Sequence, residues 1–307
     1  MDNMVFLFPG QGSQKIGMGK DFYDHSEVAK EMFFKANKRL GFEFESLLFE
    51  ENECLEQTEY TQPAILLVSL IAYRLFNDAC KKSPKSFLGH SLGEFSALSA
   101  SGALGFLDAL ELVHKRGLLM KKACSSINAG MMALVGIDDE KVEEITEAQR
   151  ALSKKVWPAN YNSEGQIVVA GDKNDLVSLE EVFKEQGAKR AVLLPMSVAS
   201  HCPLLESAQE ELGKYMQQWI GDVFCAPVVS NVSANEYCSK KEAIELLSQQ
   251  LVRPVKYKQS ILHVSQTTEC FIEFGGTVLK GLNKRICDKP THSIVDMQSL
   301  EQVLSQI

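Results

Sequence analysis

Gly89-His90-Ser91-Leu92-Gly93 is the stretch of sequence that decides the fold. It has the form G-x-S-x-G, the sharp strand-to-helix turn that holds a serine hydroxyl above the end of a sheet. Its flanks fit, because an apolar run over residues 86–88 leads into it and a helix-forming run over residues 92–101 leads out. The stretch predicts a nucleophilic serine. The alternative is a glycine-rich turn that only packs a helix on a strand.

Strands alternate with helices on both sides of this turn. Residues 4–8 form a continuous apolar run, typical of a parallel strand buried on both faces. Helical patterns cover residues 28–40, 63–80 and 106–123, with Pro63 at a first helical position. This alternation predicts an α/β protein whose large domain is α/β-hydrolase-like, with a mostly parallel sheet covered by helices.

The middle third of the chain has a different order of elements. Strand patterns at 131–135, 155–161, 166–170 and 189–194 alternate with helical patterns at 138–151 and 174–186. The resulting order βαββαβ is typical of a ferredoxin-like α+β subdomain. We place this inserted subdomain at residues 127–196, so that the large catalytic domain comprises residues 1–126 and 197–307.

The composition excludes several classes of protein. Of the 307 residues, 45% are hydrophobic and 23% charged, and no apolar run approaches the roughly 20 residues that cross a bilayer. The net charge of −8 argues against nucleic acid as the main partner. The eight cysteines have no metal-binding spacing, and the acidic residues 1–4 do not resemble a signal peptide. We therefore expect a cytoplasmic protein with reduced cysteines and no metal.

One arginine interrupts an apolar row of the helix predicted over 106–123. The row consists of Ala109, Leu112, Arg116, Leu119 and Ala123. An arginine there must find an anion, since an unpaired buried charge costs about 3–5 kcal/mol. A salt bridge to an internal acid, or a guanidinium that reaches solvent, is one interpretation. The other is a bidentate grip on a substrate carboxylate, which the closeness of this helix to Ser91 favours.

A nucleophilic serine needs a base, and six histidines are available. Three lie in helical contexts with charged neighbours and are expected at the surface: His25, His114 and His263. His90 precedes the serine in a turn where adjacent side chains diverge, so it is a poor base. His201, in a loop before an amphipathic helix, is the favoured base, and His292 remains a competitor. Cys202, next to His201, is expected to be a packing residue.

The loop Pro9-Gly10-Gln11-Gly12-Ser13-Gln14 directly follows the first strand. It is neither a P-loop nor a dinucleotide-binding fingerprint. Its glycines allow the backbone to approach a ligand closely. N–H groups here and after the serine could therefore form an oxyanion hole. A plain strand-to-helix turn is the alternative.

Together these motifs resemble the malonyl-CoA:acyl carrier protein transacylases of bacterial type II fatty acid synthesis. The resemblance covers nearly the whole chain, in residues 8–14, 61–64, 89–94, 116–117, 159–163, 165–166, 200–202, 250–251 and 254–255. It implies a catalytic Ser91–His201 dyad in which the backbone carbonyl of Gln250, in place of an Asp, orients the histidine. It also implies that Arg116 holds the malonyl carboxylate.

The same resemblance implies how the rest of the substrate is held. The backbone N–H groups of Gln11 and Leu92 would form the oxyanion hole, and Asn160 would lie near the acyl group or the thioester. No cofactor is implied beyond the substrates, malonyl-CoA and phosphopantetheinylated acyl carrier protein, and a monomer is expected. Two positions depart from the family pattern: Gly275-Gly276-Thr277 replaces Gly-Pro-Gly, and Arg253 replaces a common Asn.

The acyl carrier protein expected as partner is acidic, so basic surfaces are candidates for its docking. One candidate is Lys189 with Arg190, and the other is Lys280 with Lys284 and Arg285. Both could equally be solvated faces. An esterase or thioesterase that uses His292 with an acidic residue is the alternative function. A non-catalytic module that binds the carrier protein is a third.

Overall fold

The computed structural model describes residues 3–307. Met1 and Asp2, part of the acidic N-terminus considered above, lie outside the described residues. The strands are β1 Met4–Phe8, β2 Ser86–Gly89, β3 Ala129–Val135, β4 Val156–Ser163, β5 Gln166–Asp172, β6 Arg190–Leu193, β7 Val228–Val229, β8 Glu236–Tyr237, β9 Cys270–Phe274 and β10 Thr291–Ile294.

The helices surround these strands and make up most of the remaining chain. They are α1 Lys20–His25, α2 Glu27–Leu40, α3 Phe44–Phe49, α4 Thr58–Cys80, α5 Leu92–Ala100, α6 Phe106–Cys124, α7 Asp139–Ala151, α8 Lys173–Ser178, α9 Glu180–Glu185, α10 Glu206–Trp219, α11 Lys240–Gln250, α12 Tyr257–Ser265, α13 Val278–Asn283 and α14 Met297–Gln306. Short 3₁₀ turns cover Cys54–Glu56 and Pro203–Leu205.

The large sheet has six strands in the order β10-β9-β1-β2-β7-β8. All neighbouring pairs are parallel except β7 and β8, which confirms the predicted mostly parallel sheet. Every residue of β1 is buried, because helices cover both faces. The pairing of Phe8 with Gly89 brings the carboxyl ends of β1 and β2 together. The loop after β1 therefore lies beside the G-x-S-x-G turn, at the edge of the sheet where α/β proteins bind ligands.

The second sheet is antiparallel and has the order β4-β5-β3-β6. Its βαββαβ chain order and strand order are those of the predicted ferredoxin-like unit. A separate apolar core, which includes Leu134, Ile167 and Phe183, lies beneath it. The domain limits at residues 127 and 196 stay a prediction.

The helix predicted over 174–186 is wrong as a single element. Two short helices, α8 and α9, replace it and meet at Leu179. The Leu179 N–H donates to the carbonyl of Leu176, a tight turn that interrupts the α-helical ladder. Both leucine side chains are fully buried, so packing into the small core outweighs helix continuity.

The start of α4 also differs from the prediction. The helix begins at Thr58, so Pro63 lies inside it rather than at its first position. Proline lacks an N–H and leaves the carbonyl of Glu59 without its helical partner. The Nδ1 atom of His114 hydrogen-bonds that carbonyl at 2.7 Å. This contact explains why His114 is half-buried, whereas we expected it at the surface.

We expected no stretch long and apolar enough to cross a bilayer, but by length and composition alone α4 passes that test, the one helix among the described residues to do so. Most of its apolar stretch is buried inside the protein. It packs against α6, and Gly117 permits the close approach, because a Cβ there would meet the backbone of Glu59. The contact places Arg116, next to Gly117, below the G-x-S-x-G turn.

Candidate active site

Ser91 occupies the sharp turn between β2 and α5. Its φ of 53° and ψ of −106° lie outside the favoured regions for a residue with a side chain. The turn needs glycine on both sides: a Cβ at Gly89 would collide with the backbone of Gly93, and one at Gly93 with the carbonyl of Phe8. The predicted strand–turn–helix context of the serine is confirmed.

His201 lies against the serine. Its Nε2 atom is 2.8 Å from Ser91 Oγ, and its Nδ1 atom is 2.6 Å from the backbone carbonyl of Gln250. A carbonyl can only accept, so Nδ1 carries the hydrogen and Nε2 is free to accept from the hydroxyl. Burial, together with the charge of Arg116, lowers the pKa of His201 to about 3, although the Gln250 carbonyl opposes the shift. The neutral imidazole can therefore act as a base at neutral pH.

Arg116 is 2% exposed and its guanidinium faces the same hydroxyl. Nη2 donates to Ser91 Oγ at 3.2 Å and to Gln250 Oε1 at 3.1 Å, and Nη1 donates to Gln62 Oε1 at 2.7 Å. Nε has no partner within residues 3–307. Burial lowers the pKa of Arg116 to about 10, against the opposing effect of Glu94, so the group stays charged at neutral pH.

The two simpler interpretations of Arg116 are wrong. The guanidinium does not reach solvent, and it forms no salt bridge with an acidic residue in the described part of the chain. Its protein partners are neutral oxygens. A buried cation with neutral partners and an unpaired N–H retains the capacity to bind an anion.

A pocket of about 240 Å³ opens above these three side chains. Gln11, Leu92 and Asn160 line it together with Ser91 and His201. The backbone N–H groups of Gln11 and Leu92 donate no hydrogen bond within residues 3–307. The residues predicted to bind substrate, Gln11, Leu92, Arg116 and Asn160, thus meet at one cavity. It adjoins a second pocket of about 350 Å³ that shares Gln11 and leads towards α4.

Sequence reasoning missed two buried groups beneath the turn. Asn231 accepts a hydrogen bond from the Ser91 N–H at 2.6 Å and donates one to the Gly89 carbonyl at 2.7 Å. Glu94 accepts from the Gln250 side chain at 2.7 Å. A carboxylate in the otherwise apolar start of α5 was a signal for the second, whereas no local pattern marks Asn231.

The remaining candidates lie elsewhere or have other partners. His292 is in β10, at the edge of the sheet, separated from β2 by β9 and β1. His90 hydrogen-bonds Asn162 at 2.7 Å. Cys202 is fully buried, and burial raises the pKa of its thiol to about 12, as expected of a packing residue. No cluster of three His, Cys, Asp or Glu residues in the described chain could hold a metal ion.

A serine on a strained turn, paired with a neutral histidine in a cleft of an α/β fold, defines a serine–histidine enzyme of acyl chemistry. The acyl transferase domain family matches residues 5–283. The chain belongs to this acyl transferase family.

Proteins of known name and structure resemble the chain along its whole length. Malonyl CoA-acyl carrier protein transacylase of Bacillus subtilis (strain 168) is 37% identical, over 100% of this chain and 98% of that protein. The crystal structure of malonyl-CoA:acyl carrier protein transacylase from Helicobacter pylori has a TM-score of 0.96 at 44% identity, covering 100% and 98% of the two chains. A malonyl-transacylase in complex with a type II polyketide acyl carrier protein has a TM-score of 0.95 at 33% identity, covering 100% of both.

Proposed function

We propose that this acyltransferase moves the malonyl group of malonyl-CoA to the phosphopantetheine thiol of acyl carrier protein, through a malonyl ester of Ser91, and so supplies fatty acid elongation. The observation that carries the proposal is that a base and a cation both contact the hydroxyl oxygen of Ser91. The base His201 lies 2.8 Å and the cation Arg116 3.2 Å from Ser91 Oγ. The names of the relatives supply the two substrates.

In the first half-reaction, His201 Nε2 takes the proton of the Ser91 hydroxyl as Oγ attacks the thioester carbonyl. The negative charge on the carbonyl oxygen is stabilised by the backbone N–H groups of Gln11 and Leu92, each contributing about 2.7–4 kcal/mol. The carbon–sulfur bond then breaks, and the CoA sulfur leaves with the proton from His201. The Gln250 carbonyl holds the imidazole in the required tautomer and stabilises its charged form.

The second half-reaction reverses these roles. His201 takes the proton of the phosphopantetheine thiol, and the sulfur attacks the malonyl ester. The bond to Ser91 Oγ breaks, and the serine oxygen recovers the proton. Because each proton that leaves a nucleophile returns to a leaving group, the cycle needs no cofactor beyond its two substrates.

Arg116 selects the acyl group. Its guanidinium binds the free carboxylate of a malonyl unit, and an acetyl group would leave the buried cation without that partner. Asn160, which lines the same pocket, contacts the acyl group or thioester.

The carrier protein docks beside the pocket mouth. Of the two basic surfaces predicted from the sequence, the one with Lys280, Lys284 and Arg285 is supported by a contact. Arg285 donates to Gln166, which lines the pocket, at 3.2 Å. Charge reversal at Arg285 should raise the KM for carrier protein and weaken its salt dependence. The proposed location is the cytoplasm, the compartment in which cysteines are kept reduced.

The test is incubation with malonyl-CoA followed by intact mass measurement. We expect a malonyl adduct that is absent in Ser91→Ala and is discharged by phosphopantetheinylated carrier protein. Rapid release of CoA without a retained adduct would instead identify a hydrolase. No reaction at all would leave only a binding module.

A further inference from the structure

Glu94 is a fully buried carboxylate one turn of helix after the nucleophile, and it does not line the pocket. Its Oε2 atom accepts two hydrogen bonds, from Gln250 Nε2 at 2.7 Å and from the backbone N–H of Asn231 at 3.1 Å. Both donors belong to residues that hold the active site: Asn231 binds the turn of Ser91, and the Gln250 carbonyl binds His201. Glu94 thus connects three segments that are far apart in sequence.

The side-chain amide of Gln250 has one orientation that satisfies all its neighbours. Its Nε2 atom donates to Glu94 and to the backbone carbonyl of Ser91 at 3.1 Å, while its Oε1 atom accepts from Arg116 at 3.1 Å. A flipped amide would set its oxygen against two acceptors and its N–H groups against a guanidinium, which is donor only. The acceptor at position 94, which makes the shortest of these three contacts, therefore helps to fix which end of the amide faces Arg116.

The orientation of this amide matters for the guanidinium. Gln250 Oε1 and Gln62 Oε1 are its two amide acceptors, and together they set its plane so that Nη2 reaches Ser91 Oγ. Loss of either acceptor would leave a buried, charged N–H group unpaired and free to reorient. Burial raises the pKa of Glu94 to about 7. The oxygen that faces Gln250, Oε2, still accepts when a proton is carried by Oε1, so its role as an acceptor does not depend on the charge.

We propose that Glu94 is a positioning residue for acyl-group selection: by accepting from Gln250 it turns the amide oxygen towards Arg116 and keeps the guanidinium oriented for a substrate carboxylate. The inference rests on the malonyl transfer proposed above. In this role Glu94 does not contact the substrate and does not transfer a proton.

The test compares two substitutions of similar size, Glu94→Met and Glu94→Gln. Methionine fills the space without a strong acceptor, whereas glutamine keeps an amide oxygen for Gln250 and Asn231. The readout is the ratio of Ser91 acylation rates with malonyl-CoA and acetyl-CoA. We expect the malonyl preference to fall about tenfold or more in Glu94→Met, as for loss of a hydrogen bond to a charged group. Glu94→Gln should restore most of it.

Glu273→Met is the matched control, because Glu273 is also fully buried and accepts from backbone N–H groups, at 2.9 and 3.0 Å, but does not line the pocket. It should lower thermal stability without changing the ratio. An unchanged ratio in a folded Glu94→Met protein would overturn the proposal, and so would a Glu94→Gln ratio as low as that of the methionine variant.

Gln250→Met tests the same proposal and does not require that Glu94→Met folds. It removes the amide but keeps the backbone carbonyl that faces His201, so the proposal expects the same loss of malonyl preference. The double variant should be no worse than Gln250→Met alone, and additive losses would contradict action through Gln250. A wild-type protein that forms no malonyl ester would remove both proposals, whereas normal wild-type transfer with unaltered variant ratios removes only the role of Glu94.

Discussion

The substitution Arg116→Ala separates acyl-group selection from acyl-transfer chemistry. It removes the guanidinium from the pocket and leaves Ser91 and His201 in place, 2.8 Å apart. We expect malonylation of Ser91 to become much slower, while acetylation by acetyl-CoA is affected far less.

The expected size follows from burial and pairing. Arg116 is 2% exposed, and its partners within the described residues are neutral oxygens. A substrate without a carboxylate leaves this cation unpaired, for which about 3 kcal/mol is a conservative penalty. At about 1.4 kcal/mol per factor of ten, that is roughly a hundredfold preference for malonyl over acetyl groups. The alanine variant should lose most of it.

The assay is intact mass after rapid mixing with either thioester, from which the two first-order rates of acylation are taken. Arg116 also donates to Ser91 Oγ, so its loss changes the nucleophile itself. That effect acts on both substrates, and it cancels in the ratio of rates. Arg116→Met keeps more of the side-chain volume and controls for the cavity left by alanine.

One result would refute the reasoning. If the malonyl/acetyl ratio in Arg116→Ala equals that of the wild type, the guanidinium does not bind the acyl carboxylate, and another group must be sought. A parallel fall of both rates would assign Arg116 to the support of the nucleophile alone.

Three further predictions concern the turn and its base. Asn231→Ala should lower the free energy of unfolding by about 1–3 kcal/mol, because it leaves the nucleophile's N–H without an acceptor; an unchanged urea midpoint would argue against this. Gly93→Ala should lower the melting temperature sharply, because its Cβ would meet the carbonyl of Phe8, whereas Gly281→Ala on α13, with open space around it, should raise the melting temperature slightly. The pKa of His201 is about 3 in the native protein and about 6.5 in the unfolded chain. Between these two pH values the unfolded chain binds a proton at this residue that the native protein does not. Its contribution to stability is therefore complete above pH 6.5 and falls as the pH drops towards 3, by up to about 1.4 kcal/mol per pH unit. Urea unfolding of wild type and His201→Asn at pH 5 and 7 measures this difference, and equal pH dependence in the two proteins would show that the native imidazole is not held neutral.

Local patterns predicted most of the secondary structure. The continuous apolar run of β1, the G-x-S-x-G turn between β2 and α5, and the helix over 106–123 all appear at the expected places. Each of these elements is specified by residues that are close together in the sequence. The errors arose where distant packing outweighed local preference. Pro63 is tolerated inside α4 because His114 satisfies the carbonyl it frees, and the helix expected over 174–186 breaks so that Leu179 can be buried.

The residues of the candidate site also differ in whether local sequence patterns predicted them. The motif around Ser91 marked a strained turn, and the helical spacing of the apolar row around Arg116 marked a buried cation. Both are local patterns that a sequence displays by itself. From residues alone, His201 and His292 both remained possible bases.

Only the tertiary structure brings the partners together. His201 is separated from Ser91 by 110 positions and Gln250 by 159. They meet because the loop that carries His201 and the C-terminal end of α11, which carries Gln250, converge at the carboxyl edge of the parallel sheet. Glu94 follows the serine by one helical turn, but its role depends on Gln250 and Asn231, which come from other segments. Hydrogen bonds between distant segments leave no periodic trace in a sequence, so the network beneath the nucleophile emerged only from the fold.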